Sequence, residues 1–248
     1  MQIFPGLNCI GDETGGHVRG FLIDHAGELI LIDTLNHDDG RLVLEELRLM
    51  GRKPADIRRI ILTHAHPSHL KGIAALKAAT GARVYSHDWE ADVVEGKRKM
   101  EVPATTGVLP QKPYRVYPFQ LGLVFGLGKH APCEVNGNLK DGDHVGPLTV
   151  VHTPGHTPGS LAFYWAEKRT VICGDIVSTW PELALGWPQI TLDNKQNRES
   201  VGKLCDLTDA EILCVGHGAP ILSGANDIIR GLVGKRAQPL SKVAGAHL

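Results

Sequence analysis

Short apolar runs in this chain repeatedly end at a histidine or an aspartate flanked by glycine or proline. Four segments share this feature: Thr63-His64-Ala65-His66-Pro67-Ser68-His69 after Ile57–Leu62, Thr153-Pro154-Gly155-His156 after Leu148–His152, Gly174-Asp175 after Thr170–Cys173, and Gly216-His217 after Ile212–Val215. Short apolar runs bounded by turn residues predict buried strands, so each of these side chains is expected at a strand end. The chain is therefore constrained to a fold that brings several strand ends together.

The first of these segments carries three histidines close together in sequence. In an extended chain, alternation places His64 and His66 on the same side, about 6–7 Å apart along the backbone. Both imidazoles can then reach one zinc ion at about 2.0–2.1 Å. His69 begins the next helix and is expected to point away from this pair.

The 13 histidines of the chain divide into isolated ones and the strand-end group. The isolated ones are interpreted as ordinary hydrogen-bonded residues: His17, His25, His37, His87, His130, His144 and His247. Exposure to solvent does not explain why the strand-end histidines are so numerous, follow one predicted strand after another and are flanked by glycine or proline. We therefore interpret this group as a metal site. Zinc is the expected ion, and iron or manganese also suits a histidine-rich site with one carboxylate.

The order of the predicted elements indicates an α/β protein with two sheets packed face to face and helices outside. Strands are predicted at His17–Asp24, Glu28–Asp33, Ile57–Leu62, Arg83–Ser86, Leu148–His152, Leu161–Trp165, Thr170–Cys173 and Ile212–Val215. Helices are predicted at Asp38–Met50 with a cap at Asp38 or Asp39, from Leu70 to Gly81, and at Asp88–Glu95, Lys195–Leu207 and Ile228–Val233. No repeat or linker divides the chain, so residues 1–248 are expected to form a single domain.

Two segments allow more than one interpretation. Residues 102–132 are interrupted by prolines and glycines and predict either a substrate lid or a dimer contact. The segment Trp180–Pro188 predicts either an apolar wall beside the metal site or ordinary core packing of two tryptophans.

Composition argues against several classes of partner. The 26 lysine and arginine residues are balanced by 27 aspartate and glutamate residues, so nucleic acid is not an expected partner. No apolar stretch approaches the roughly 20 residues of a membrane-spanning helix, and Met1–Gly20 lacks an export-signal pattern. We therefore expect a cytoplasmic protein that acts on a small molecule, with a homodimer as the default assembly.

These residues, taken together and in this order, resemble the motifs of the metallo-β-lactamase-fold superfamily: an aspartate after an early strand, HxHxDH, histidine, aspartate and histidine. The matching positions are Asp33, then His64, His66 and His69, then His156, Asp175 and His217. The resemblance implies a four-layer αβ/βα sandwich with two mixed sheets and a binuclear site at one edge. It also implies that His64, His66 and His156 hold one metal, that His69 and His217 hold the second, that Asp175 bridges both, and that Asp33 orients the ligands.

One position departs from the family pattern, because Ser68 stands where the family has the aspartate of HxHxDH. A carboxylate ligand is thereby lost from the second metal site, so the second ion is expected to bind more weakly. The Ser68 hydroxyl group either coordinates loosely or holds a water molecule in place of the carboxylate. A role for Ser68 as a covalent nucleophile is not expected, since His69 turned toward a metal cannot also serve as its base.

The predicted activity is hydrolysis by a metal-bound hydroxide of a small ester, thioester or lactone-type substrate, with Asp175 and Ser68 at the reacting centre. Loss of the aspartate favours substrates with good leaving groups. Hydroxyacylglutathione is not favoured, because only a short segment follows His217. The alternative is a low-activity or non-catalytic binding protein of the same fold with a weakened second metal site, or one with incidental β-lactam hydrolysis.

Overall fold

The computed structural model describes residues 1–101, 129–187 and 190–234. In these residues the chain forms two mixed β-sheets with helices on their outer faces. Most of the segment 102–132 lies outside the described residues, so the lid and dimer-contact interpretations stay predictions. Pro188 and His247 lie outside them as well.

The first sheet has seven strands in sequential order, from β1 to β7. They are β1 Gln2–Phe4, β2 Leu7–Asp12, β3 Val18–His25, β4 Glu28–Ile32, β5 Ile57–Ile61, β6 Arg83–Ser86 and β7 Gly137–Asn138. Strands β1 to β4 pair antiparallel, whereas β4, β5, β6 and β7 run parallel. The carboxyl ends of β4 and β5 therefore meet at the same edge.

The second sheet has five strands in the order β12, β11, β10, β9, β8. They are β8 His144–Val145, β9 Leu148–His152, β10 Leu161–Trp165, β11 Thr170–Ile172 and β12 Ile212–Cys214. Only β11 and β12 pair in parallel in this sheet. The carboxyl ends of β11 and β12 therefore also lie side by side.

Helices cover the outer face of each sheet. They are α1 Thr14–His17, α2 Arg41–Leu49, α3 Pro67–Leu70, α4 Ile73–Thr80, α5 Asp88–Val94, α6 Asn194–Leu207 and α7 Ala225–Gly234, with 3₁₀ turns at Pro54–Asp56, Ala166–Lys168 and Gly174–Ile176. Side chains of α2, α3, α4 and α5 pack in one core cluster with the first sheet, and those of α6 and α7 pack in another with the second sheet.

A third core cluster fills the space between the two sheets and includes Phe21, Ile30 and Phe163. Strand β4 contributes to two core clusters. Leu29 and Leu31 pack with the helices, whereas Ile30 and Ile32 pack with the second sheet. A strand buried on both faces has to be apolar throughout, as this one is. The layers are therefore helices, sheet, sheet, helices, and the predicted four-layer αβ/βα sandwich is confirmed.

Most predicted elements occur within one or two residues of their expected bounds, and β1 and β2, for which no strand was predicted, precede β3. Two predictions were wrong. Gly40, rather than Asp38 or Asp39, is the N-cap of α2, and its φ of 64° is the left-handed conformation that glycine adopts readily. The helix expected between Leu70 and Gly81 is divided into α3 and α4.

None of the helices in the described part of the chain combines the length and the apolar composition that crossing a lipid bilayer requires.

The core between the sheets generates a stability prediction. Phe163 is completely buried there, so Phe163→Ala should lower the free energy of unfolding by about 3–5 kcal/mol through lost burial and the cavity left behind. Leu49 on α2 is 66% exposed, so Leu49→Ala should change this free energy by no more than about 0.5 kcal/mol. Urea denaturation of both variants measures the difference, and equal losses would contradict this account of the core.

Candidate metal centre

Two parallel strands of the first sheet bring the first group of polar side chains to its edge. Strand β4 leads into Asp33, and β5 leads through Leu62 into Thr63 and His64. The backbone N–H of Asp33 donates to the Ile61 carbonyl at 3.0 Å, which extends the strand pairing as far as Asp33. Asp33, with a left-handed φ of 59°, and His64 thus lie directly beyond the ends of two paired strands.

The second sheet supplies the remaining side chains from three turns. His156 follows β9, Asp175 lies in the 3₁₀ turn after β11, and His217 follows β12. The backbone N–H of Leu161 donates to the Thr63 carbonyl at 2.8 Å, so the two sheets are hydrogen-bonded to each other at this edge. The strand ends predicted to converge do converge here.

Four side chains, which we call the first cluster, bring ligand atoms within 4.8 Å of one another: His64, His66, His156 and Asp175. His156 Nε2 lies 3.0 Å from His66 Nδ1. Asp175 Oδ2 lies 3.6 Å from His64 Nε2 and 3.5 Å from His156 Nε2. All four side chains are buried, so bulk water does not separate them.

Three side chains, the second cluster, share the Asp175 carboxylate: His69, Asp175 and His217. His69 Nε2 lies 3.3 Å from Asp175 Oδ1, and His217 Nε2 lies 3.2 Å from Asp175 Oδ2. The two Nε2 atoms are 3.2 Å apart. His69, expected to point away from the pair His64 and His66, joins the second cluster and not the first, because α3 begins right after His66 and its first turn directs His69 toward Asp175.

Glycine is required where Asp175 meets the last turn of the second sheet. A Cβ atom at position 216 would lie 2.0 Å from Asp175 Oδ1 and 2.9 Å from His69 Cε1. Any side chain there would displace the carboxylate from the histidines. The glycine before His217 therefore serves close approach of the backbone to Asp175, in addition to the turn itself.

Hydrogen bonds fix which nitrogen faces the centre in the rings of His69, His156 and His217. His217 Nδ1 donates to the Gly16 carbonyl at 2.6 Å, and His69 Nδ1 lies 2.9 Å from Asp33 Oδ2. His156 Nδ1 lies 3.1 Å from the Thr191 hydroxyl oxygen. In each ring the other nitrogen, Nε2, is left to point into the centre, and outer partners of this kind are those that orient metal-ligating histidines.

Asp33 and Thr63 extend this arrangement to His64. Thr63 donates to Asp33 from its backbone N–H at 2.8 Å and from its hydroxyl group at 2.7 Å. Since the hydroxyl proton is used in this way, the 3.0 Å contact between Thr63 Oγ1 and His64 Nδ1 is donated by the histidine. His64 thus also directs Nε2 at the centre.

Several polar atoms at the centre have no hydrogen-bond partner among the described residues. They are His64 Nε2 and both carboxylate oxygens of Asp175, all buried. Burying such atoms unpaired is costly, and here it occurs where imidazole nitrogens and a carboxylate converge. Neutral imidazole and carboxylate are the donors that zinc, iron and manganese accept, so these residues fit a divalent metal.

The electrostatics of the first cluster agree with this fit. Burial disfavours the charged imidazole and places the pKa of His64 and His66 well below the ordinary value. Burial likewise lowers the pKa of His156 to about 4. All three side chains are therefore neutral near pH 7, which is the protonation state that ligation requires.

The second cluster is electrostatically different. Burial alone would lower the pKa of His69, but the carboxylates of Asp175 and Asp33 outweigh it and raise the pKa to about 10. Burial alone would raise the pKa of Asp175, but the surrounding histidines, His217 foremost, outweigh it and hold the pKa well below the ordinary value. Asp175 is thus an ionised carboxylate under all physiological conditions.

Ser68 lies on α3 between His66 and His69 and is half-buried. Its hydroxyl group makes no hydrogen bond to any residue that the structure describes. The second cluster therefore offers two imidazoles and one carboxylate, one ligand fewer than the first cluster. The predicted weakness of the second site stays a prediction.

Three aromatic side chains, which we call the aromatic wall, lie beside the second cluster: His17, Trp180 and Trp187. The Trp187 ring centroid is 4.4 Å from that of His217 and 5.7 Å from that of Trp180. The Trp180 centroid is 4.8 Å from that of His17. Trp187 therefore stands beside His217, and Trp180 and His17, the latter interpreted above as an isolated histidine, are linked to it through successive ring contacts.

Comparison with known proteins agrees with this arrangement. A probable metallo-hydrolase of Bacillus subtilis (strain 168), YflN, is 27% identical, covering 79% of this chain and 77% of its own length. A hydroxyacylglutathione hydrolase of Cereibacter sphaeroides is 28% identical over 65% of this chain, which spans about half, 48%, of that enzyme. The crystal structure of a metallo-beta-lactamase family protein from Thermus thermophilus matches with a TM-score of 0.65 and 25% identity, covering 94% of this chain and 78% of that one.

The family model of the metallo-beta-lactamase superfamily matches residues 14–217, a span that contains all the residues of both clusters. The fold, the converging strand ends and this match agree with one another. The chain belongs to the metallo-beta-lactamase superfamily and is a metallo-hydrolase of that fold.

Proposed function

We propose that this protein hydrolyses a small ester, thioester or lactone-type substrate at a metal centre formed by the two clusters. One observation carries the proposal. The Asp175 carboxylate is buried, ionised and without a hydrogen-bond partner among the described residues, yet both of its oxygens lie within 3.6 Å of histidine nitrogens. The neutral imidazoles of the first cluster meet the carboxylate at the same place, and a divalent metal is the cation that this set of donors suits.

The ligand sets follow from the clusters. His64, His66 and His156 would hold one ion, His69 and His217 would hold a second, and Asp175 would lie between them. We propose zinc as the ion, one or two per chain, with iron or manganese as alternatives that a histidine-rich site accepts. When bound, such an ion activates water as a nucleophile near neutral pH and polarises a carbonyl oxygen.

The protein's own residues have distinct tasks in this proposal. Asp175 connects the two ligand sets, since its Oδ2 atom lies 3.6 Å from His64 Nε2 and 3.2 Å from His217 Nε2. Asp33 holds His69, and Thr191 holds His156, each through the Nδ1 atom. A substrate carbonyl group therefore meets ligands that do not need to reorganise during the reaction.

Ser68 bears on the choice of leaving group. At this position the family pattern has an aspartate, whose carboxylate could pass a proton to the departing atom. This chain has a hydroxyl group instead, which remains neutral at physiological pH. A thiolate or an activated alkoxide departs without such help, whereas an amide nitrogen does not. This difference supports thioesters, activated esters and strained lactones over amides.

The aromatic wall bears on the acyl part of the substrate. His17, Trp180 and Trp187 present ring surface next to His217, and Trp187 Nε1 is already used in a 3.1 Å hydrogen bond to the Trp180 carbonyl. An apolar acyl chain or ring can pack there without leaving a buried donor unpaired. The similarity to a hydroxyacylglutathione hydrolase supports the thioester among the three substrate classes.

A second candidate is a low-activity or non-catalytic member of the superfamily that mainly binds its ligand. The observation that favours it is the missing carboxylate at Ser68, which leaves only three ligand groups in the second cluster. If two ions are needed for turnover, a poorly occupied second position would limit the rate. Incidental hydrolysis of β-lactams belongs to the same candidate.

Metal-dependent hydrolysis is the first prediction from this site. Protein supplied with zinc should release thiol from short-chain acyl thioesters, and a chelator should abolish the release until metal is restored. Asp175→Asn should lower the rate by at least about a hundredfold, since even residues behind the ligands contribute about 10–100-fold. The exposed aspartate of α7 offers a matched control, so Asp227→Asn should leave the rate unchanged.

A thiol-reactive dye follows this reaction, and parallel assays with activated esters, lactones and a β-lactam compare the other classes. Absence of metal-dependent turnover on every class, in a protein that binds metal, would reject the hydrolase proposal in favour of the second candidate.

Ser68 generates the second prediction. Ser68→Asp should tighten binding of the second ion by about tenfold or more, because a charged ligand is added to a three-ligand set. Ser68→Asn introduces a side chain of nearly the same size as aspartate but without the charge, so it should not tighten binding of the second ion. Metal per chain after dialysis against graded zinc, measured by elemental mass spectrometry, separates the two variants, and no gain with Ser68→Asp would contradict the role given to the missing carboxylate.

A further inference from the structure

A buried carboxylate outside both clusters joins the two loops that carry the first cluster. Glu90 lies on α5 and is 1% exposed. Its Oε2 atom accepts a hydrogen bond from the backbone N–H of Ala65 at 3.0 Å. Its Oε1 atom accepts from the Thr157 hydroxyl group and from the backbone N–H of Gly159 at 3.2 Å.

The donors to Glu90 lie next to the histidines of the first cluster. Ala65 stands between His64 and His66, and Thr157 directly follows His156. Glu90 touches none of the three histidines, yet it holds the backbone beside each of them. One side chain thus spans the two loops that must stay at a fixed separation if their imidazoles are to share an ion.

The surroundings of Glu90 are shaped to admit it. A Cβ atom at position 159 would lie 2.7 Å from Glu90 Cγ, so a glycine is needed for the side chain to reach the turn. Thr157 is also held from the other side, because its N–H donates to Ser160 Oγ at 3.0 Å and its hydroxyl oxygen lies 2.8 Å from the same atom. Since the Thr157 hydroxyl proton goes to Glu90, Ser160 donates in that second contact.

Packing alone does not explain a carboxylate here. Val93 and Val94 lie on the same face of α5 and anchor the helix in the core, and an apolar side chain at position 90 would do the same. Burial raises the pKa of Glu90 to about 7, which shows how unfavourable this environment is for the charged group. Three donors directed at its two oxygens offset that cost.

We infer that Glu90 is a positioning residue for the first metal, fixing the separation of the His64–His66 loop and the His156 turn. The inference rests on the proposed metal centre, since it concerns how tightly that centre holds its first ion. The hydrogen bonds of Glu90 within the described residues go to the two loops of the first cluster and not to His69 or His217, so its effect should be confined to the first cluster.

Titration of the metal-free full-length chain with cobalt(II) tests the inference, because the visible absorption of cobalt reports the ligands around it. His156→Ala and His217→Ala identify which binding step belongs to which cluster. Glu90→Gln keeps the size of the side chain, but its amide NH₂ group replaces one carboxylate oxygen and then faces a group that also donates. It should weaken the first-cluster step by about 10–100-fold and leave the second within about twofold.

The same helix offers a matched control. Glu95 ends α5 and accepts from the Val135 N–H at 3.1 Å, away from both loops, so Glu95→Gln should leave both binding steps unchanged. If Glu90→Gln does not fold, Thr157→Val removes one of the three donors and should weaken the same step in the same direction. A merely structural role would lower the free energy of unfolding of the metal-free protein without changing the ratio of the two affinities.

Each outcome bears on the inference. Selective weakening of the first step supports it. Unchanged affinities, or equal weakening of both steps, overturn it while leaving the metal proposal intact. Absence of cobalt binding by the unsubstituted protein would overturn the metal proposal and this inference with it.

Discussion

The interaction on which this structure depends is the one between the buried Asp175 carboxylate and the imidazoles around it. A lone carboxylate in a protein interior is costly, and its neighbours in this fold are four histidines from both sheets. All four are buried, with no more than 1% of each exposed. A divalent ion balances this set of charges and lone pairs.

The layered fold can be understood as the framework for that interaction. Parallel pairing of β4 with β5 and of β11 with β12 places four strand ends at one edge, and the hydrogen bond from Leu161 to Thr63 joins the two sheets there. Outer partners such as Asp33, Thr191 and Glu90 then fix the rings and the loops. The rigidity of the centre therefore comes from the strands and from buried hydrogen bonds.

The sequence was sufficient for the layered fold and for the convergence of the strand ends, because apolar runs and the residues that end them are local signals. Other features depend on contacts between distant residues. The direction of His69 is set by Asp33 and Asp175 through tertiary contacts. Glu90 had a faint local signal, as a carboxylate sharing a helix face with Val93 and Val94, but its partners at Ala65 and Thr157 are far away in sequence. The single-domain organisation, cytoplasmic location and homodimer stay predictions.

The central claim is that a metal ion lies against Asp175 between the two sheets. Anomalous X-ray diffraction from crystals of the purified protein, recorded on either side of the zinc, iron and manganese absorption edges, tests it most directly. The account predicts a strong anomalous peak bounded by His64, His66, His156 and Asp175, and a weaker one bounded by His69, His217 and Asp175. Absence of any peak beside Asp175 in crystals grown with these metals, or a peak only at surface residues, would contradict it.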